Sequence, residues 1–132
     1  MMKEVTKTQN IIGWIMGGFF IAFMLFDAVI KFLKLPMVIE TTVNDLGYQE
    51  HHILVMGILC FSCLLLYIFP RTSVLGAILF TAYLGGAIAT NLRLDKPLLS
   101  HTLFPIYTAI LMWGSLWLRR PELRSIFPII KK

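Results

Sequence analysis

The chain has 132 residues, of which 58% are apolar and 14% charged, and its formal net charge is +5. A soluble domain holds roughly 45–50% apolar and about 25% charged residues, so this balance points to a membrane, and the length leaves no room for a separate water-soluble catalytic domain. The basic residues sit at the ends of apolar segments, not in a dense stripe, which excludes a nucleic-acid partner.

Four uncharged apolar runs, residues 11–26, 53–69, 74–89 and 103–118, set the organisation. With 16 or 17 residues each and tolerable neighbours on both sides, they can cross a hydrocarbon core of roughly 30 Å at about 1.5 Å per residue. They predict one domain with spans over approximately 11–33, 52–69, 73–91 and 102–118. Short connections force neighbouring helices antiparallel, so the expected fold is all-α: an integral-membrane up-down-up-down four-helix bundle.

The first helix is expected to start at Asn10, a good N-cap, and to end before Pro36. It is longer than the roughly 7–15 apolar residues of a secretory signal and lacks a small-x-small cleavage site, so it reads as a retained helix. Gly13 and Gly17 lie one turn apart and offer a surface for close packing. Asp27 and Lys31 are the ionisable pair of this span, four residues apart on one face. Asp27 stands about 24 Å along the helix from Ile11, near the outer interface, where Lys31 can snorkel to water. The pair is read either as a structural ion pair or as part of a polar pocket open to the outer face.

Residues 36–52 form the longest connection, with Val38, Thr41, Thr42, Val43, Asp45 and Leu46 suggesting one or two amphipathic turns that end at Gly47 and cap the bundle. The second helix should run from about Glu50 to Phe69 and stop at Pro70, with Thr72 or Ser73 capping the third. Cys60 and Cys63 lie mid-span in a Cys-Phe-Ser-Cys sequence. Apolar surroundings disfavour the thiolate that exchange chemistry needs, so the pair reads first as two small buried residues and second as a redox pair.

Ala77, Thr81, Gly85 and Ala89 recur every four residues in the third helix, which predicts a small-residue packing face and the most buried helix of the four. A polar loop follows at residues 91–100, and Pro105 is acceptable in the first turn of the fourth helix. Trp117 beside Arg119 suits an interface belt, and the basic, isoleucine-bearing tail suits an anionic leaflet, each cation contributing about 1 kcal/mol.

Eight cations (Lys3, Lys7, Arg71, Arg119, Arg120, Arg124, Lys131, Lys132) fall on the side of the termini and four (Lys31, Lys34, Arg93, Lys96) on the other. The positive-inside rule then predicts cytoplasmic termini. His51, His52 and His101 share the other side with Asp45, Glu50 and Asp95. Adjacent helical histidines point about 100° apart, however, so no metal site is expected.

Several segments carry a resemblance. They are Leu46-Gly47-Tyr48, Leu66-Tyr67-Ile68-Phe69-Pro70-Arg71-Thr72, Leu75-Gly76-Ala77, the stretch from Tyr83-Leu84-Gly85-Gly86 through Asn91-Leu92-Arg93, Leu103-Phe104-Pro105, and Trp117-Leu118-Arg119-Arg120-Pro121-Glu122-Leu123-Arg124. With Phe26-Asp27-Ala28-Val29-Ile30-Lys31 of the first helix, they resemble the DoxX-like family of small four-helix membrane proteins. Most such proteins have no assigned activity. The resemblance implies, through the better understood relatives, quinone-coupled sulfur oxidation or membrane complexes that answer oxidative stress. Two positions depart from the family pattern: Cys60 replaces a common acidic residue and Asn91 a frequent histidine, and both changes remove ionisable groups.

The expected protein is a multi-pass bacterial inner-membrane binding or accessory subunit of unassigned biochemical activity. Its polar pocket faces outward and is built around Asp27, Lys31, Tyr83, Asn91, Arg93 and His101. The first alternative is a quinone-linked redox subunit, using Cys60 and Cys63 or holding quinone between helices, with a membrane redox partner. The second is a small-solute transporter acting as a homodimer.

Overall fold

The computed structural model describes residues 5–130; Lys3, Lys131 and Lys132, which entered the charge comparison, lie outside the described residues. The described chain is all-helical. Its elements are α1 (Lys7–Leu33), α2 (Pro36–Ile39), a π-helical turn (Glu40–Asp45), α3 (His51–Ile68), α4 (Ser73–Arg93), a second π-helical turn (Leu98–Thr102), α5 (Phe104–Arg119) and α6 (Pro121–Arg124). By length and composition, α1, α3 and α4 can each cross a membrane. The fourth expected span corresponds to α5, a shorter helix of 16 residues.

Local chemistry sets the helix ends. α1 starts three residues before the expected Asn10, because Thr6 and Gln9 form a reciprocal capping box with both bonds at 3.1 Å. The Asn10 amide is already bonded to the Thr6 carbonyl at 2.9 Å and lies inside the helix. Between α3 and α4, neither Thr72 nor Ser73 caps α4 as expected. Thr72 Oγ1 donates to Leu66 O at 2.7 Å and Ser73 Oγ to Phe69 O at 2.9 Å, satisfying carbonyls that the end of α3 leaves open.

α1 packs on α3 and α5, and α4 packs on the same two helices. The shared core centres on Phe20, whose ring meets Tyr67 and Phe80 edge-on at 5.3 and 5.1 Å. Met24, Leu64, Met112 and Leu116 are buried around them. Tyr67 donates its hydroxyl proton to Met112 O at 2.8 Å, which satisfies the one polar atom of that cluster's largest side chain. α1 and α5 approach through Gly13 and Gly17, as the sequence suggests: Ser115 Oγ donates to Gly13 O at 2.6 Å, and a Cβ on Gly17 would overlap Ser115 Oγ.

The small-residue face of α4 behaves differently from expectation. Ala77 is buried, but Thr81, Gly85 and Ala89 are exposed, and α3 rather than α4 has the larger buried share, 33% against 28%. Trp113 of α5 donates its indole N–H to Thr81 Oγ1 at 2.9 Å, and this bulky group holds the α4–α5 side open as an apolar groove. Close packing on α4 is concentrated instead at Gly76, where an added Cβ would lie 2.7 Å from Tyr67 Cα.

Large apolar side chains cover the exterior, with Ile15 66% and Phe19 64% exposed. In water such a surface would be an association hazard; in a bilayer it is the surface that meets the acyl chains. At the end carrying the termini, three arginines fasten the chain after α5. Arg119 lies 4.1 Å from the Trp14 ring centroid, Arg120 Nη2 donates to Pro70 O, and Arg124 donates to Gln9 Oε1 at 3.3 Å and Leu118 O at 2.6 Å.

Gly76→Ala is expected to destabilise the fold by about 1–3 kcal/mol, because the new methyl group meets backbone that cannot rotate away. Gly86→Ala, with nothing within 4 Å, is expected to be neutral or slightly stabilising. Unfolding in a fixed detergent separates the two; equal effects would contradict this α3–α4 spacing.

Candidate functional site

A cavity of about 600 Å³ opens between the C-terminal halves of α1 and α4, the start of α5 and the 36–48 connection. It brings together five of the six residues expected to form a pocket: Asp27, Lys31, Tyr83, Asn91 and His101. Arg93 does not line it. That side chain turns to the rim, where Nη2 donates to Leu46 O at 3.4 Å and holds the connection over the cavity mouth.

The charged pair follows directly from helix periodicity. Asp27 and Lys31 meet at 2.6 Å as an i,i+4 pair, with side chains 30% and 13% exposed. On the facing helix, Tyr83 lines the cavity, and its hydroxyl has no hydrogen-bond partner among the described residues. Asn91 Nδ2 donates to His101 O at 3.0 Å, and Ser100 Oγ pairs with His101 Nδ1 at 2.8 Å, so this side of the rim is internally bonded. Phe23, Met24, Met56 and Leu59 supply an apolar wall.

Tyr48 and Thr90 also line this site, although residue chemistry alone gave no reason to place them there. Thr90 Oγ1 donates to Gly86 O at 2.9 Å, which uses its only proton, so in the 2.5 Å Tyr48–Thr90 contact the phenol is the donor. This bond pins the connection to α4. Gly47, with φ +80, makes the turn that delivers Tyr48 to that position. The Leu46-Gly47-Tyr48 motif was the available signal, but its partner 42 residues away is invisible to local pattern.

Cys60 and Cys63 are both buried free cysteines and lie outside the residues that line the cavity. Cys60 Sγ sits 3.8 Å from Met24 O, a weak thiol contact that packs α3 on α1. His51 and His52 stand at the start of α3 with rings 4.3 Å apart, and His52 Nδ1 accepts the Gln49 amide at 3.3 Å. Among the described residues no three His, Cys, Asp or Glu side chains are grouped to hold a metal ion.

Three helices long and apolar enough to cross a membrane, beside a cavity lined by both polar and apolar groups, define the class as a transmembrane protein. The chain belongs to the DoxX-like family, whose model matches residues 15–115, most of the chain and all of the cavity residues named above. The resemblance noted at Trp117 to Arg124 falls beyond the matched residues. No curated protein and no solved structure matches the chain.

Tyr48→Phe removes the bond that pins the connection and is expected to cost about 0.5–1.5 kcal/mol locally. Amide exchange over residues 40–48 should then accelerate about two- to tenfold while α3 keeps its protection. Unchanged exchange would mean that the connection is held by its other contacts.

Proposed function

We propose that this protein is a small binding or accessory subunit of the bacterial inner membrane. It acts as an up-down-up-down four-helix bundle with both termini in the cytoplasm and its cavity toward the outer face. The ligand class that suits the cavity is a small amphipathic molecule, with its polar head against Asp27, Lys31 and Tyr83 and its apolar part along Phe23, Met24 and Leu59. The observation that carries this reading is the Tyr83 hydroxyl: a phenol that lines a cavity without a partner among the described residues is available to a ligand as donor and acceptor. The charges at the ends of the apolar segments support the orientation.

A quinone head group is a second reading, favoured by the donor set. Its carbonyl oxygens accept hydrogen bonds, and the Tyr83 hydroxyl and Lys31 ammonium are donors among the groups lining the cavity. The residues present fit such a head group. When bound, a quinone would supply two-electron redox chemistry, while this chain's residues would orient the ring and screen it from water. The position of Cys60 and Cys63 outside the lining favours binding over dithiol chemistry.

Native mass spectrometry of the protein gently extracted from its own membrane is the test. The wild type is expected to retain an amphiphile other than phospholipid, with retention falling about tenfold or more in Tyr83→Phe combined with Asp27→Asn, consistent with losing one neutral and one charge-assisted bond. A wild-type spectrum with phospholipid alone would overturn the binding reading.

Replacing Cys60 and Cys63 together by Ala is expected to leave that retention within about twofold, because neither thiol lines the cavity. A loss of retention matching that of the Tyr83 variant would move the assignment to the redox reading.

A further inference from the structure

At the end opposite the cavity, a second cleft of about 460 Å³ opens between the first turns of α1, the α3–α4 turn and the residues that follow α5. Along α1 it extends from Asn10 to Ile21, about 16 Å of helix. Its lining is charged: Arg119, Arg120 and Glu122 all belong to it. Ile21, Tyr67 and Ile68 supply apolar and aromatic lining, with Tyr67 buried and Ile68 exposed.

This charge is poorly balanced. Arg119 donates Nε–H to Ser115 Oγ at 3.1 Å and lies over Trp14, but it forms no ion pair with a described residue. Arg120 has one counter-ion, Glu122, at 3.7 Å, and that carboxylate is 59% exposed. The Nε of Arg120 is buried and finds no acceptor among the described residues. Guanidinium groups stay charged in proteins, and their forked donors match the oxygens of a phosphate. Two such groups with one solvent-screened carboxylate leave net positive charge in the lining of the cleft, a feature that attracts anionic headgroups.

We propose that this cleft binds an anionic phospholipid, with Arg119 and Arg120 on its phosphodiester and an acyl chain along Ile21 and Ile68. Neither the ligand nor the surface is shared with the cavity, so the two readings stand or fall separately.

The test uses the delipidated full chain in non-ionic detergent and compares dioleoyl phosphatidylglycerol with dioleoyl phosphatidylcholine at equal concentration. A lipid that binds only the folded protein raises its unfolding midpoint. Phosphatidylglycerol is expected to raise the midpoint by several degrees more than phosphatidylcholine. That extra shift should vanish in Arg119→Gln combined with Arg120→Gln, grow in Glu122→Gln, and persist in Arg71→Gln, which alters an exposed cation of the nearby turn that does not line the cleft. Each midpoint is read against the same variant without lipid. Among the described residues the Glu122 side chain makes only its ion pair with Arg120, so Glu122→Gln keeps the test decisive if the double variant does not fold. Equal shifts with both lipids, an equal loss in Arg71→Gln, or no gain in Glu122→Gln would overturn the proposal. So would inorganic phosphate alone reproducing the shift, which would assign the cleft to free phosphate.

Discussion

Where α1 meets α5, Gly13 and Gly17 leave no side chain between the helices, and Ser115 fills the space with a hydroxyl that donates to the Gly13 carbonyl. Apolar burial gives little drive to associate helices already surrounded by acyl chains, so close backbone approach and a few interhelical hydrogen bonds carry more of the weight. This contact fixes the distance between α1 and α5 at the end with the termini. Arg119 reaches Trp14 because Ser115 is already docked, and Phe20, a few residues farther along α1, enters the shared core between Tyr67 and Phe80. At its other end α1 carries Asp27 and Lys31 into the cavity wall.

Much of the architecture was legible because the membrane leaves few alternatives. Uncharged runs of the right length become helices, since unsatisfied backbone groups in hydrocarbon are too costly for any open structure. The i,i+4 pairing of Asp27 with Lys31 and the glycine contact on α1 follow from the 3.6-residue repeat. What periodicity does not carry is competition between hydrogen-bonding groups. Asn10 loses the N-cap to Thr6 because Gln9 can reciprocate. Thr72 and Ser73 turn back to α3 because its last carbonyls are in reach. The small-residue stripe on α4 reads as a packing face, yet one large neighbour, Trp113, leaves most of it open.

The cavity residues were legible by residue type and span end, except where a long-range contact decided the matter. Arg93 shares a helix end with Asn91 but points at the Leu46 carbonyl, and Tyr48 enters through a bond to Thr90 that no local pattern encodes. The two cysteines illustrate the opposite case. Their spacing suggests chemistry, whereas the structure shows both thiols buried, with Cys60 Sγ beside the Met24 carbonyl.

The helices are unequal in length: α1 has 27 residues, α3 18 and α5 16, or roughly 40, 27 and 24 Å of axial rise. A hydrocarbon core of roughly 30 Å fits none of the three without adjustment. The π-helical turn Leu98–Thr102 precedes α5. Its exposed Leu98 and Leu99 present an apolar surface, while Tyr107 donates to the Leu99 carbonyl at 2.8 Å and Thr102 to the Lys96 carbonyl at 3.3 Å. The longest and the shortest of these helices, α1 and α5, pack directly on one another, so the difference in length falls between neighbours and no single hydrocarbon thickness matches both.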